Sequence, residues 1–159
     1  MDPTGERPAA HGLHLDDLQI GQRFTSGTVS VGTDEIVAFA TLYDPQPFHL
    51  DDAAARASLF GGLAASGWHT AALSMRLMVE AGLPLAGGIV GAGAEILWPT
   101  PTRPGDVLQV FSEIIEIKPS RSRRDRGMVT VRSETRNQRD EIVQVLTARL
   151  VVPRRVPGA

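Results

Sequence analysis

Residues 67–83 read GWHTAALSMRLMVEAGL, and the fold turns on how this stretch is taken. Ala71, Ala72, Leu73, Met75, Leu77, Met78 and Val79 leave little polar face, so the pattern predicts a long helix that is mostly buried. Ser66 ahead of it is a good N-cap. Gly67 then falls in the first turn, where backbone N–H groups have no partner inside the helix. His69 and Trp68, one step further in, read as packing residues. A helix of this kind needs a surface to cover it.

The rest of the chain supplies that surface. Downstream, segments near 89–98, 106–117, 127–137 and 141–152 read as strands, separated by the turn-forming stretches PTPTRPGD, KPSRSRRDRG and NQRDE. Val129 and Val131 alternate with Thr130 and Arg132, the pattern of a sheet with one wet face. Upstream, GQRFTSGTVSVG (21–32) is β-branched, glycine-bounded and strand-like. Thr33 is a plausible N-cap for a short helix, DEIVAFATLY, with Asp34 and Glu35 in its first turn. Ile36, Ala40 and Tyr43 share one face of it. DDAAARASLFGG predicts a further short helix stopped by Gly61 and Gly62. The expected fold class is α+β, an antiparallel sheet wrapped around a central helix.

Composition bounds what such a domain does. The chain has 159 residues, 42% apolar and 21% charged, which suits one domain with a real core. A net charge of −2 gives no reason to expect nucleic acid or an acidic membrane as partner. With no cysteine, disulfides, thiolate catalysis and cysteine-ligated zinc are excluded. The opening MDPTGERPAAHG lacks the basic and apolar regions of a signal peptide, and no apolar run is long enough to span a bilayer. The expectation is a cytoplasmic protein with a mobile tail over 1–13 and a single domain over 14–155.

Before the long helix stands YDPQPFHLDD, residues 43–52. Pro45 disfavours helical geometry at Asp44, so the preceding helix should end there. Pro45 and Pro47 each fix φ and lower the entropy of holding one loop shape. Asp44 and His49 can then face one point in space. A neutral imidazole takes a proton from water near neutral pH, and an adjacent carboxylate orients that water. Spacing alone leaves a second reading open, in which Asp44 caps the next turn and His49 is a satisfied surface histidine. Asp51 and Asp52 read as helix-start acids. At ASGWHT (65–70) the Gly67 N–H can approach a carbonyl oxygen closely and stabilise charge developing on it. The competing reading there is a plain Ser-Gly helix start.

Taken together, these two pieces resemble the MaoC-like dehydratases, the (R)-specific enoyl-CoA hydratase family. The loop from Asp44 to Asp51 is similar to that family's Gly-Asp-x-Asn-Pro-x-His-x-Asp, and Ala65-Ser66-Gly67-Trp68 stands where the family has Ala-His-Gly-Met. The resemblance extends to the RPGD turn, Arg103 to Asp106, and to the closing strands. It implies a hot-dog fold and a hydratase or dehydratase that adds water to the double bond of a 2-enoyl thioester. Asp44 and His49 would hold the water and Gly67 N–H would polarise the thioester carbonyl. Tyr43, Ser66 and Trp68 would border the substrate. The resemblance further implies a homodimer, with coenzyme A thioester as substrate and no metal or redox cofactor. The chain departs from the pattern at Tyr43, which replaces a glycine, at Gln46 for asparagine and at Ser66 for histidine. These changes bear on the shape of the pocket and leave the implied catalytic groups in place.

Two other functions fit the same fold: a thioesterase using Asp44 without a histidine partner, and a non-catalytic subunit that binds acyl thioesters. Other signals are set aside. The glycines at 87, 88, 91 and 93 precede a strand and fit neither dinucleotide nor P-loop spacing. His11 and His14, with Asp16 and Asp17, sit in or beside the tail and lack the positioning of a metal site. Arg121 to Arg126 (RSRRDR) reads as a solvated hairpin tip, the functional alternative being contact with coenzyme A phosphates. Ser66 does not lie in a G-x-S-x-G elbow.

Overall fold

A computed structural model describes residues 12–157. Five strands form one antiparallel sheet: β1 (Arg23–Ser30), β2 (Val90–Leu97), β3 (Val107–Pro119), β4 (Arg126–Arg136) and β5 (Ile142–Pro153), in the order β1-β3-β4-β5-β2. Between β1 and β2 the chain forms α1 (Thr33–Tyr43), α2 (Pro47–Leu50), α3 (Asp52–Arg56) and α4 (Gly67–Leu77), the last running on into a π-helical turn, Met78–Gly82. α4 lies against β1, β3 and β5, so the sheet wraps the helix in the hot-dog arrangement. The first eleven residues of the expected tail lie outside the described residues. Its last two are tied in, since Leu13 donates its N–H to the Pro84 carbonyl and bridges to Leu85.

Alternation along β4 shows how the sheet finds its inner face. Gly127, Val129, Val131, Ser133 and Thr135 are buried and the residues between them are not. The β3–β4 register sets Ser112 opposite Ser133, whose hydroxyls bond at 2.7 Å. Ile36, Leu108, Ile114, Val129 and Val131 are among the fully buried core residues, each stabilising the fold by about 1.5–3 kcal/mol.

The structure corrects the reading of the long helix. α4 and its π-helical extension are not mostly buried: Trp68, Met75 and Val79 are exposed, whereas His69, Thr70, Ser74, Leu77 and Met78 are buried. The hidden face is polar at its N-terminal half, where the sheet and loops supply hydroxyl partners for Thr70 and Ser74, and apolar at Leu77 and Met78. Thr70 Oγ1 bonds Thr102 Oγ1 at 2.9 Å, and Ser74 Oγ bonds Thr135 Oγ1 at 2.6 Å. His69 stacks flat on Phe39, with ring centroids 4.7 Å apart.

Two boundaries also differ. Gly32, not Thr33, is the N-cap of α1, and its N–H donates to the Glu35 carboxylate at 3.3 Å. The loop between Asp44 and Asp51 contains a full helical turn, α2, because Pro47 at its first position has the φ a helix needs and no N–H to leave unpaired.

Candidate active site

Asp44 caps the C-terminus of α1, with its N–H on the Ala40 carbonyl at 2.9 Å. Pro45 prevents further helix, and the chain re-enters helical geometry only at Pro47. His49 therefore projects from α2 back toward Asp44. His49 is buried, with Nε2 3.3 Å from Asp44 Oδ2. Its Nδ1 lies 2.7 Å from the Ala64 carbonyl oxygen. A carbonyl oxygen can only accept, so Nδ1 carries a proton and Nε2 is the nitrogen turned to the carboxylate. A surface histidine is thereby ruled out.

The carboxylate of Asp44 is held from three sides. Ser66 Oγ donates to Oδ2 at 2.7 Å, Gln46 Nε2 donates to Oδ1 at 2.6 Å, and His49 faces Oδ2. Burial alone would raise its pKa. The hydrogen bonds from Ser66 and Gln46 and the charge of His49 outweigh that and hold it below the ordinary aspartate value of 3.8. Ser66 also accepts the Trp68 N–H at 3.2 Å, so one hydroxyl caps α4 and bonds the carboxylate.

Asp44, His49 and Gly67 open onto one cavity of about 420 Å³, with Phe48, Phe60, Trp98, Thr102 and Val143 among its walls. Gly67 N–H, in the first turn of α4, donates to no acceptor among the described residues. Trp98 lies across this glycine: a Cβ on Gly67 would stand 2.7 Å from the indole ring. The indole is pinned by its Nε1–H, which donates to the buried Gln144 Oε1 at 3.0 Å. Trp98, Gln144, Phe60 and Val143 carry no recognisable sequence signal; only the fold brings them here. Tyr43 and Trp68 are not among the cavity walls. Tyr43 is exposed and packs on Phe39 at 5.0 Å, and Trp68 meets Trp98 edge-on at 5.4 Å.

A second hollow on the sheet, of about 390 Å³, is self-neutralising. It includes Arg23, Glu113, Arg132, Glu134 and Arg136, but Arg23 pairs with Glu113 and both other arginines pair with Glu134. The Arg121–Arg126 segment joins β3 to β4. The cavity-lining Val143 lies beside the other end of β4, where Thr135 pairs Gln144, so the cluster stands about 30 Å away along the strand in the same chain. Asp16 and Asp17 are engaged by Arg154 and Arg155, and His11 lies outside the described residues.

A sheet wrapped around a helix, with an Asp–His pair beside the helix N-terminus, defines a hot-dog domain. The chain belongs to the MaoC-like domain family, whose model matches residues 17–137. It is similar to the crystal structure of a MaoC-like dehydratase from Rhodospirillum rubrum, with 61% identity and a TM-score of 0.90, covering 91% of this chain and 99% of that one. It is also similar to the unliganded R-hydratase PhaJ1 of Pseudomonas aeruginosa, with 26% identity and a TM-score of 0.71 over 91% of this chain and 88% of that one. In Bacillus subtilis (strain 168) the uncharacterized protein YdeM is 35% identical over 131 residues, 80% of this chain and 90% of YdeM.

Proposed function

We propose that the protein hydrates the double bond of 2-enoyl thioesters, converting enoyl-CoA to (R)-3-hydroxyacyl-CoA, or catalyses the reverse dehydration. The observation that carries this reading is the 3.3 Å approach of His49 Nε2 to Asp44 Oδ2 in the cavity that Gly67 also lines. Two atoms at that separation accept one water about 2.8 Å from each. The water gives its hydroxyl to the β-carbon, while a proton passes through the pair to the α-carbon, so the elements of water are added and nothing is oxidised. Charge that develops on the thioester oxygen meets the Gly67 N–H, a donor of the kind worth about 3 kcal/mol to a transition state. Such a reaction needs no metal or redox group, and coenzyme A enters only as part of the substrate.

The active form in this reading is a homodimer. Trp68, Met75 and Val79 on α4 and its π-helical extension are exposed, as are Val90 and Leu97 on β2 and Trp98 just beyond it. Among the described residues β2 pairs only with β5, so its outer edge is free. A second copy paired along that edge satisfies the strand and covers Val90, Leu97 and the Trp98–Trp68 pair beside it. No helix among the described residues is long and apolar enough to cross a membrane.

Incubation with crotonyl-CoA tests the reading. Loss of the conjugated enoyl absorbance without release of free thiol, abolished in Asp44→Asn and His49→Ala, is the expected result. Thiol release would instead identify a thioesterase. A dimer silent toward short, long and branched enoyl thioesters would leave a non-catalytic subunit.

A further inference from the structure

We propose that Arg103, which lies outside the cavity, is a positioning residue for the candidate catalytic groups and acts through the segment that carries them. Its guanidinium gathers the carbonyls that precede α4. Nη1 donates to Gly62 O at 2.7 Å and to Leu63 O at 3.3 Å, and Nη2 donates to Phe60 O. The arginine is itself fixed, because its N–H donates to the Asp106 carboxylate at 2.8 Å and that carboxylate is buried. Opposing bonds hold the N–H groups of the same segment: Leu63 on Asp52 Oδ1 at 3.0 Å, Ala64 on Phe48 O at 3.3 Å and Ala65 on Thr102 O at 2.9 Å.

The segment clamped in this way presents three site groups in succession. Ala64 O accepts the hydrogen bond from His49 Nδ1–H, Ser66 Oγ donates to Asp44, and Gly67 offers its N–H. A planar fork is suited to this task because it spans several carbonyls at fixed angles, which a single ammonium cannot do. Loss of the fork leaves the carbonyls of Phe60, Gly62 and Leu63 without their partner, so that only the N–H bonds of residues 63–65 hold the Ala64 carbonyl in place. The carbonyl is what keeps the neutral His49 ring protonated on Nδ1 and its Nε2 turned to Asp44. Displacement of this order is enough to slow a reaction without touching its substrate.

The kinetic arm of the test rests on the hydratase reading; the spectroscopic arm does not. In the ¹⁵N-labelled full chain, two-bond ¹H–¹⁵N spectra of the neutral His49 ring should show Nδ1–H alone in the wild type and mixed tautomers in Arg103→Ala. The same variant should lose about 100-fold in kcat toward crotonyl-CoA with little change in KM. Millimolar guanidinium should recover part of that loss in Arg103→Ala and none in Asp44→Asn. Where Arg103→Ala does not fold, Arg103→Lys carries the test, with an expected loss of about tenfold and the same tautomer mixing. An unmixed Nδ1–H ring in a folded Arg103 variant overturns the inference, whatever happens to kcat. A wild type that hydrates no enoyl thioester overturns the hydratase reading and leaves the ring spectrum to decide the role of Arg103.

Discussion

Ser66 and Asp44 stand 22 positions apart in the chain and are joined by a 2.7 Å hydrogen bond. One residue begins α4 and the other ends α1. Their contact sets the two helix termini against each other, and the carboxylate at this junction belongs to the candidate site. Local helix-capping chemistry thus becomes part of the site's electrostatics.

That bond should be visible in the titration of Asp44. A carboxyl whose folded pKa is depressed contributes stability above its unfolded value, and loses it as pH falls through the folded value. In a ¹³C NMR titration Asp44 should ionise below 3.8, and Ser66→Ala should move it upward, because Ser66 is first among the groups that lower it. The stability that Asp44 contributes above 3.8 should shrink with it, while stability below the folded value should not change. An unmoved titration would show that the hydroxyl leaves the carboxylate's charge alone.

Asp44→Asn and His49→Ala should each reduce kcat for enoyl hydration by about 10²–10⁴-fold, the usual worth of a positioned acid or base. Circular dichroism should show both variants folded. Comparable activity in His49→Ala and wild type would remove the histidine from the chemistry.

Gly67→Ala places a methyl 2.7 Å from the Trp98 ring, which the Gln144 hydrogen bond holds in place. Activity should fall sharply in the single variant. The double variant Gly67→Ala, Trp98→Ala should be more active than Gly67→Ala alone, a coupling that a double-mutant cycle measures. Additive losses would place the harm of the methyl elsewhere.

His69 gives a separate test of the α4 packing. Burial lowers its pKa below 6.5, outweighing the pull of Glu35 in the other direction. The folded chain then binds fewer protons there than the unfolded one. The neutral ring's contribution is complete above 6.5 and is lost as pH falls toward the folded value. Denaturant midpoints measured above and below 6.5 should differ less in His69→Phe than in the wild type. Equal differences would mean that His69 is not held neutral.

Met75→Glu or Val79→Glu puts a charge among the exposed apolar residues of α4 and its π-helical extension. Sedimentation should give a dimer for the wild type and a monomer for the variants. A wild-type monomer at working concentration would leave the outer edge of β2 without its proposed partner.

Much of this was legible in advance, for reasons that are local. Pro45 ends a helix at Asp44 by steric clash with helical geometry, and Ser66 caps the next by its own side chain. Alternating Val129 and Val131 marks a strand by period. The inward face of α4 was not legible. Its apolar count is high all round. The burial of Thr70 and Ser74 depends on hydroxyls from Thr102 and Thr135, 32 and 61 residues away, and that of His69 on the Phe39 ring of α1. The clamp on residues 60–63 depends likewise on Arg103, about 40 residues downstream of the carbonyls it holds.

The sequence by itself determined the order of elements, the α+β class and the two short segments that carry Asp44, His49, Ser66 and Gly67, because caps, breakers and periodicity act within a few residues. Only the tertiary structure decided that His49 is buried with its Nδ1 on Ala64, that Trp98 lies across Gly67, and that Tyr43 and Trp68 stand outside the cavity. Those outcomes belong to packing. A side chain's partners are whatever the fold brings within hydrogen-bonding or van der Waals reach, and that information is spread over the whole chain.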